Sequence, residues 1–234
     1  MKEIMSELKK LEEKIGVDFR NKALLLEAVT HRSYLNENPG VRTGNNERLE
    51  YLGDAVLELV VTERLFNEFP ESQEGELTLI RAALVNYVML ARVAREIGLE
   101  GYILLSRGEA KDLGKAREVI LANAIEAVIG AIHLDKGYEA AKTFIERNII
   151  RHLKEVTENG AYRDPKSKLQ ELIQEKMKST PTYSVLEEKG PDHAREFIVG
   201  VYFGGELQAK GSGSSKQEAE NKAAEEALKV FGQK

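Results

Sequence analysis

The hydrophobic period of this chain changes once, and that change limits the folds open to it. From Met1 to about Leu153 apolar residues recur at helical spacing, and strand signals are nearly absent. Leu24, Leu25, Ala28 and Val29 mark one helix. Further helices are expected over Leu49 to Phe66, Leu77 to Ile97, Val119 to Leu134 and Tyr138 to Lys154. Asn36 to Asn46, rich in Asn, Gly and Pro, reads as a loop feeding the second of these, with Asn46 as its N-cap. Past Thr157 to Arg163 the texture differs. Asp164-Pro165 offers an N-cap followed by proline at the first helical position. The expected order is then helix Pro165 to Met177, strand Tyr183 to Glu188, strand Glu196 to Phe203, a Gly204-Gly205 hairpin turn, strand Glu206 to Lys210 and helix Ser215 to Phe231. The reading is an α+β multidomain chain: an all-α domain over 1–160, then an α-β-β-β-α domain over 164–234. A length of 234 residues suits two units better than one.

The segment Glu47 to Leu57, E-R-L-E-Y-L-G-D-A-V-L, sets three carboxylates on one side of an otherwise apolar helix. At about 100° per residue Glu47, Glu50 and Asp54 fall in a stripe roughly 60° wide, flanked by Leu49, Leu52, Val56 and Leu57. A solvated acidic face has the same spacing. Buried acids instead need a hard divalent ion, which turns their repulsion into coordination. A second polar interruption favours the ion. In Val119 to Gly130 the polar side chains are Asn123 and Glu126, three apart and so on one face. Two helices that each offer oxygen ligands from an apolar face are how a helical protein builds a carboxylate metal cage.

The string E-R-L-E-Y-L-G-D-A-V-L closely resembles the signature of the ribonuclease III family, divalent-metal endonucleases that cut double-stranded RNA. I-L-A-N-A-I-E-A resembles its second motif, I-L-A-D-x-x-E-A. The resemblance implies Glu50, Asp54, Asn123 and Glu126 as the metal set, with Asp54 and Glu126 catalytic. Glu47 and Glu74, the latter in Q-E-G-E-L, are implied as accessory acids. It also implies Mg²⁺ as cofactor, with Mn²⁺ able to substitute. A homodimer joined along the signature helix is implied too, making staggered cuts that leave 5′-phosphates and short 3′ overhangs, on substrates such as ribosomal precursors and structured messengers. Asn123 departs from the family's aspartate, which removes one negative charge and weakens the grip on ions. An active natural variant, an engineered substitution and a binding-only descendant are the three explanations. Retention of Glu50, Asp54 and Glu126 favours the first. His31, in T-H-R-S-Y, reads as a structural hydrogen-bonding residue. Gly53 lies between ligands, where glycine costs about 1 kcal/mol against alanine, and a close backbone approach would justify it.

The C-terminal part resembles a double-stranded RNA-binding domain. On that likeness Gln170 and Glu171 reach a minor groove from the first helix, and His193, in G-P-D-H, reaches the next. Ser215 and Glu218 form a capping box, while Lys216 and Lys222 face phosphate. Family members carry two or three adjacent basic residues where this chain has Lys216 and Gln217. Binding by this module should therefore be weaker than usual and less salt-sensitive, with a slope of no more than about 4 phosphate equivalents.

Charge and cysteine content narrow the remaining choices. The net charge of −5 divides as −4 before Asp164 and −1 from there on, so most of the acidic surplus travels with the carboxylate helix. Such a surplus does not exclude a polyanionic partner when ions neutralise it. Zero cysteines exclude a disulfide scaffold and a thiolate metal site, fitting a cytoplasmic protein. Apolar runs are too short and too interrupted to span a bilayer, so no membrane partner is expected.

Overall fold

The structure, a computed structural model, describes residues 2–111, 114–158, 165–190 and 195–231, with the side chains of 2–5 left out. The chain divides into two compact units, Met1–Tyr162 and Arg163–Lys234.

In the first unit the helices are α1 (Lys2–Ile15), α2 (Lys22–Ala28), α3 (Arg32–Glu37), α4 (Glu47–Glu68), α5 (Glu74–Val85), α6 (Tyr87–Glu96), α7 (Lys115–Lys136), α8 (Tyr138–Asn148) and α9 (Leu153–Glu158). α7 is the axis of the unit. It is apolar around most of its circumference, which a helix tolerates only when surrounded. Eleven consecutive positions from Ile120 to Gly130 include just two that are not buried, Asn123 and Glu126. α4, α6, α8 and α2 pack on it.

The α4–α7 crossing is unusually close. A Cβ added to Gly53 would collide with the backbone carbonyl of Glu126, and one added to Gly130 with the carbonyl of Leu49. The two helices thus touch backbone to backbone, tighter than side-chain-spaced packing at about 8–10 Å between axes. The glycine between Glu50 and Asp54 has its justification.

Three local expectations need correction. The single helix over Leu77 to Ile97 is two, because Asn86 takes an extended conformation (ψ 157°) and its side chain accepts from Met89 N at 2.9 Å, capping α6. The axes bend there by 44°. The Tyr138 to Lys154 helix stops at Asn148, whose side-chain amide donates to Phe144 O at 2.8 Å. A short 3₁₀ turn, Ile150–His152, separates it from α9. Asn46 does not cap α4 through its side chain; it is helical in conformation and buried, and Asn45 Oδ1 instead accepts from Glu47 N.

The second unit runs α10 (Pro165–Met177), β1 (Thr182–Lys189), β2 (Glu196–Phe203), β3 (Glu206–Gly213) and α11 (Lys216–Phe231), with an antiparallel sheet in the order β1-β2-β3. Gly204 and Gly205, with φ +64° and +82°, make the hairpin turn that only such residues adopt freely. β3 continues three residues past the expected end. Leu169, Ile173, Val201, Phe203, Ala223 and Ala227 form the core between sheet and helices. Small residues on α11 and Gly211 on β3 bring helix and strand together closely enough that a Cβ on Gly211 would strike the α11 backbone. The Asp164 cap lies outside the described residues.

Candidate active site and RNA-facing module

The crossing of α4 and α7 brings two rows of polar side chains together. Glu50 and Asp54 come from α4, flanking Gly53; on α7 Glu126 gives its backbone carbonyl to the glycine contact and Asn123 lies one turn before it. Burial raises the Glu50 carboxyl above the usual range, with Glu47 and Asp54 adding repulsion. The Asn123 amide, donating to Glu50, works against them. Glu126 is more strongly affected: burial first, then the charges of Asp54, Glu50 and Glu58, push it up to about 8. A carboxyl raised by burial and by the acids of a facing helix marks a site with uncompensated negative potential.

The remaining expected residues fall at different distances from that centre. Glu47 is exposed and pairs with Arg32 at 3.6 Å. Glu74 is exposed in the first turn of α5, where it accepts from Thr78 Oγ1 at 3.2 Å; no described contact ties it to Glu50 or Glu126. His31 caps α3, its Nδ1 accepting from Ser33 N at 3.3 Å. Glu58 escaped the sequence reading. It follows Asp54 by four residues on the same face of α4, acts on Glu126 and pairs with Arg81 of α5 at 2.8 Å. The i+4 spacing was the available signal.

The donor set suits a hard divalent cation: carboxylate and amide oxygens, half-buried at Glu50, Asn123 and Glu126 and exposed at Asp54, carrying negative charge in excess. Among the described residues no group of three or more acidic or histidine side chains is gathered tightly enough to grip an ion unaided. The amide of Asn123, water and a substrate phosphate are the oxygens left to complete a shell.

On the outer side of α4, Tyr51 is 83% exposed. It borders a hollow floored by Leu24, Leu49, Leu52 and Leu134 and rimmed by Glu27, Glu47 and Arg48. In the second unit Gln170 and Glu171 are exposed on α10, and Ser215, Lys216 and Lys222 at the start of α11. Ser215 Oγ accepts from Glu218 N at 3.2 Å as a capping box requires, but the Glu218 carboxylate returns to Ser214 N, at 2.8 Å, one residue earlier. His193 lies outside the described residues.

An all-helical unit carrying a carboxylate cluster at a helix crossing, followed by an α-β-β-β-α unit with exposed lysines at its last helix, defines a nuclease of double-stranded RNA. Residues 21–153 match the Ribonuclease-III-like family and 165–230 the double-stranded RNA binding motif. Ribonuclease 3 of Syntrophomonas wolfei is 50% identical over 90% of this chain and 89% of its own. That of Dehalococcoides mccartyi is 44% identical over 97% and 96%. The nuclease domain of ribonuclease III from Campylobacter jejuni superposes with a TM-score of 0.56 at 46% identity, covering 62% of this chain and 96% of that one. The chain belongs to the ribonuclease III family and is a double-strand-specific endoribonuclease.

Proposed function

We propose that this protein hydrolyses phosphodiester bonds in duplex RNA with Mg²⁺ held by Glu50, Asp54, Asn123 and Glu126, Mn²⁺ being able to replace it. The supporting observation is the elevation of the buried Glu126 carboxyl on α7 by Asp54 and Glu50 of α4, across the helix crossing, which a bound cation would relieve. When bound, divalent ions supply an activated water and neutralise the phosphate, so no side-chain nucleophile is needed. The chain's own part is to hold four oxygen donors on two helices locked by Gly53 and Gly130. Asn123 anchors Glu50 by hydrogen bond and keeps its carboxylate turned toward α7. Glu126, whose carboxyl burial and the neighbouring acids push up to about 8, would hold a proton at neutral pH without a cation and would ligate one as the carboxylate, releasing that proton to solvent. Glu47 and Glu74 are accessory acids at the margin. Asn123 makes the site one charge weaker than a four-carboxylate set, and the reading is of an enzyme that needs more metal rather than one that has lost activity.

The domains are proposed as 1–160 for the nuclease and 164–234 for RNA binding, with Gln170, Glu171, His193, Ser215, Lys216 and Lys222 on the duplex. A homodimer joined along α4 is supported by Tyr51, a large aromatic side chain standing in solvent at the edge of a leucine-floored hollow with a charged rim. Two sites so paired cut opposite strands, leaving 5′-phosphates and short 3′ overhangs. Ribosomal precursors and structured messengers in the cytoplasm are the proposed substrates, and the absence of cysteine fits that compartment. Labelled duplex RNA incubated with the protein tests this. Cleavage with Mg²⁺ or Mn²⁺ that stops in EDTA is the expected result; retention without cutting under every metal overturns it.

A further inference from the structure

The lysines assigned to phosphate are already occupied. Lys216 Nζ stands 3.4 Å from Glu188, and Arg195 is 3.8 Å from the same carboxylate. Lys222 pairs with Glu218 at 2.9 Å.

The first of these contacts is built into the sheet. Glu188 pairs in register with Phe197, and Phe197 with Gly213, so one row crosses all three strands and ends beside the start of α11. Phe197 shares its face with Val199, Val201 and Phe203, the buried side of β2. Lys216 Nζ lies over the Phe197 ring, 5.6 Å from its centre, and reaches Glu188 from there. A bulge decides which glutamate meets it. From Tyr183 and Val185, strict alternation would put Glu187 on the helix side, but the register slips between Val185 and Glu187. The extra residue, Leu186, turns outward against Gly200. Glu188 takes the inward place instead, while Glu187 pairs with Lys189 at 2.5 Å.

We propose that Glu188 is an internal stand-in for an RNA phosphate: it neutralises Lys216 and Arg195 in the free protein, and the duplex backbone must displace it to bind. This rests on the reading that the start of α11 faces duplex RNA. Two consequences follow from exchange of ion pairs. Affinity is lowered, because each phosphate contact made breaks a carboxylate contact. The salt dependence is also shallower than the number of contacts: the phosphate sheds a counterion while the freed carboxylate takes one up. Glu188 thereby sets how much charge the module shows to RNA without changing which residues touch it. The cap-forming Glu218 serves α11 as well as Lys222, so Glu188 is the cleaner handle.

The full chain is titrated against a labelled duplex in EDTA, where cutting is blocked, across a range of salt. Glu188→Gln is expected to tighten binding about three- to fivefold. Its log–log salt slope should steepen by roughly one phosphate equivalent. Lys216→Gln should weaken binding, and in that background Glu188→Gln should lose most of its gain. If Lys216→Gln weakens binding but Glu188→Gln does not tighten it, or tightens it equally without Lys216, the stand-in is refuted while the RNA face survives. Should Lys216→Gln leave binding untouched, the RNA face itself is wrong and the proposal falls with it.

Discussion

Replacing Glu126 with Gln should make the metal-free protein more stable at neutral and alkaline pH, although it removes a ligand. In the folded chain burial and the surrounding carboxylates hold this carboxyl near 8, against 4.5 in the absence of those influences. Between those values the folded state keeps a proton that the unfolded chain has lost, so stability falls as pH rises through the window. The cost is about 1.4 kcal/mol for each pH unit above the lower value, or roughly 3 kcal/mol at pH 7, growing until about pH 8. Gln has the same shape and carries no such cost. For a chain of this size 1 kcal/mol moves the unfolding midpoint by about 2–4 °C. Thermal unfolding in EDTA should therefore show the variant ahead by roughly 6–12 °C at pH 7 and by more at pH 8, with the two curves converging near pH 5. Added Mg²⁺ should stabilise the wild type strongly and the variant little, and its binding to the wild type below pH 8 should release a proton. A stability gap that is the same at pH 5 and pH 8, or a variant that melts first at pH 8, would refute the reasoning.

Gly53→Ala should destabilise the nuclease unit by about 3 kcal/mol or more, since the new methyl meets the Glu126 carbonyl and the helices cannot part without opening the core; the denaturant midpoint reads this directly. Asn123→Asp removes the hydrogen bond to Glu50 and adds a charge beside it. Calorimetry should find Mg²⁺ bound about tenfold more tightly, a gain of some 1.4 kcal/mol, and the metal-free protein less stable at pH 8 than at pH 6. Tyr51→Asp should convert a dimer to monomers in sedimentation at micromolar concentration, and an unchanged sedimentation coefficient would remove the proposed interface.

Much of this architecture could be read from residue order, because the strongest signals were periodic. α7 is apolar on nearly every side, and that is visible as an unbroken run with two interruptions. β2 and the Gly204-Gly205 turn fell where alternation and paired glycines indicated. The errors came where a side chain overrode the period. Asn86 splits one apolar stretch into two helices through a single cap, and Asn148 ends another through a bond to its own helix; neither residue breaks the hydrophobic pattern. In the site, Glu50, Asp54, Asn123 and Glu126 stood out as polar groups on apolar helices. Glu58 did not, because its pairing with Arg81 depends on where α5 returns along α4. The grip of Glu188 on Lys216 was equally hidden. It depends on a one-residue slip in strand register, and alternation alone points to Glu187.

The contact between Gly53 and Gly130 has a consequence for how this chemistry can change over evolutionary time. Because the helices are fixed by main chain against main chain, the spacing of the donors is inherited from the scaffold and owes little to which donor stands at any one position. If the proposed metal set holds, identity at position 123 is then free to drift between acid and amide without the frame collapsing, retuning the appetite for metal one side chain at a time. The two positions with no side chain are the ones that cannot drift.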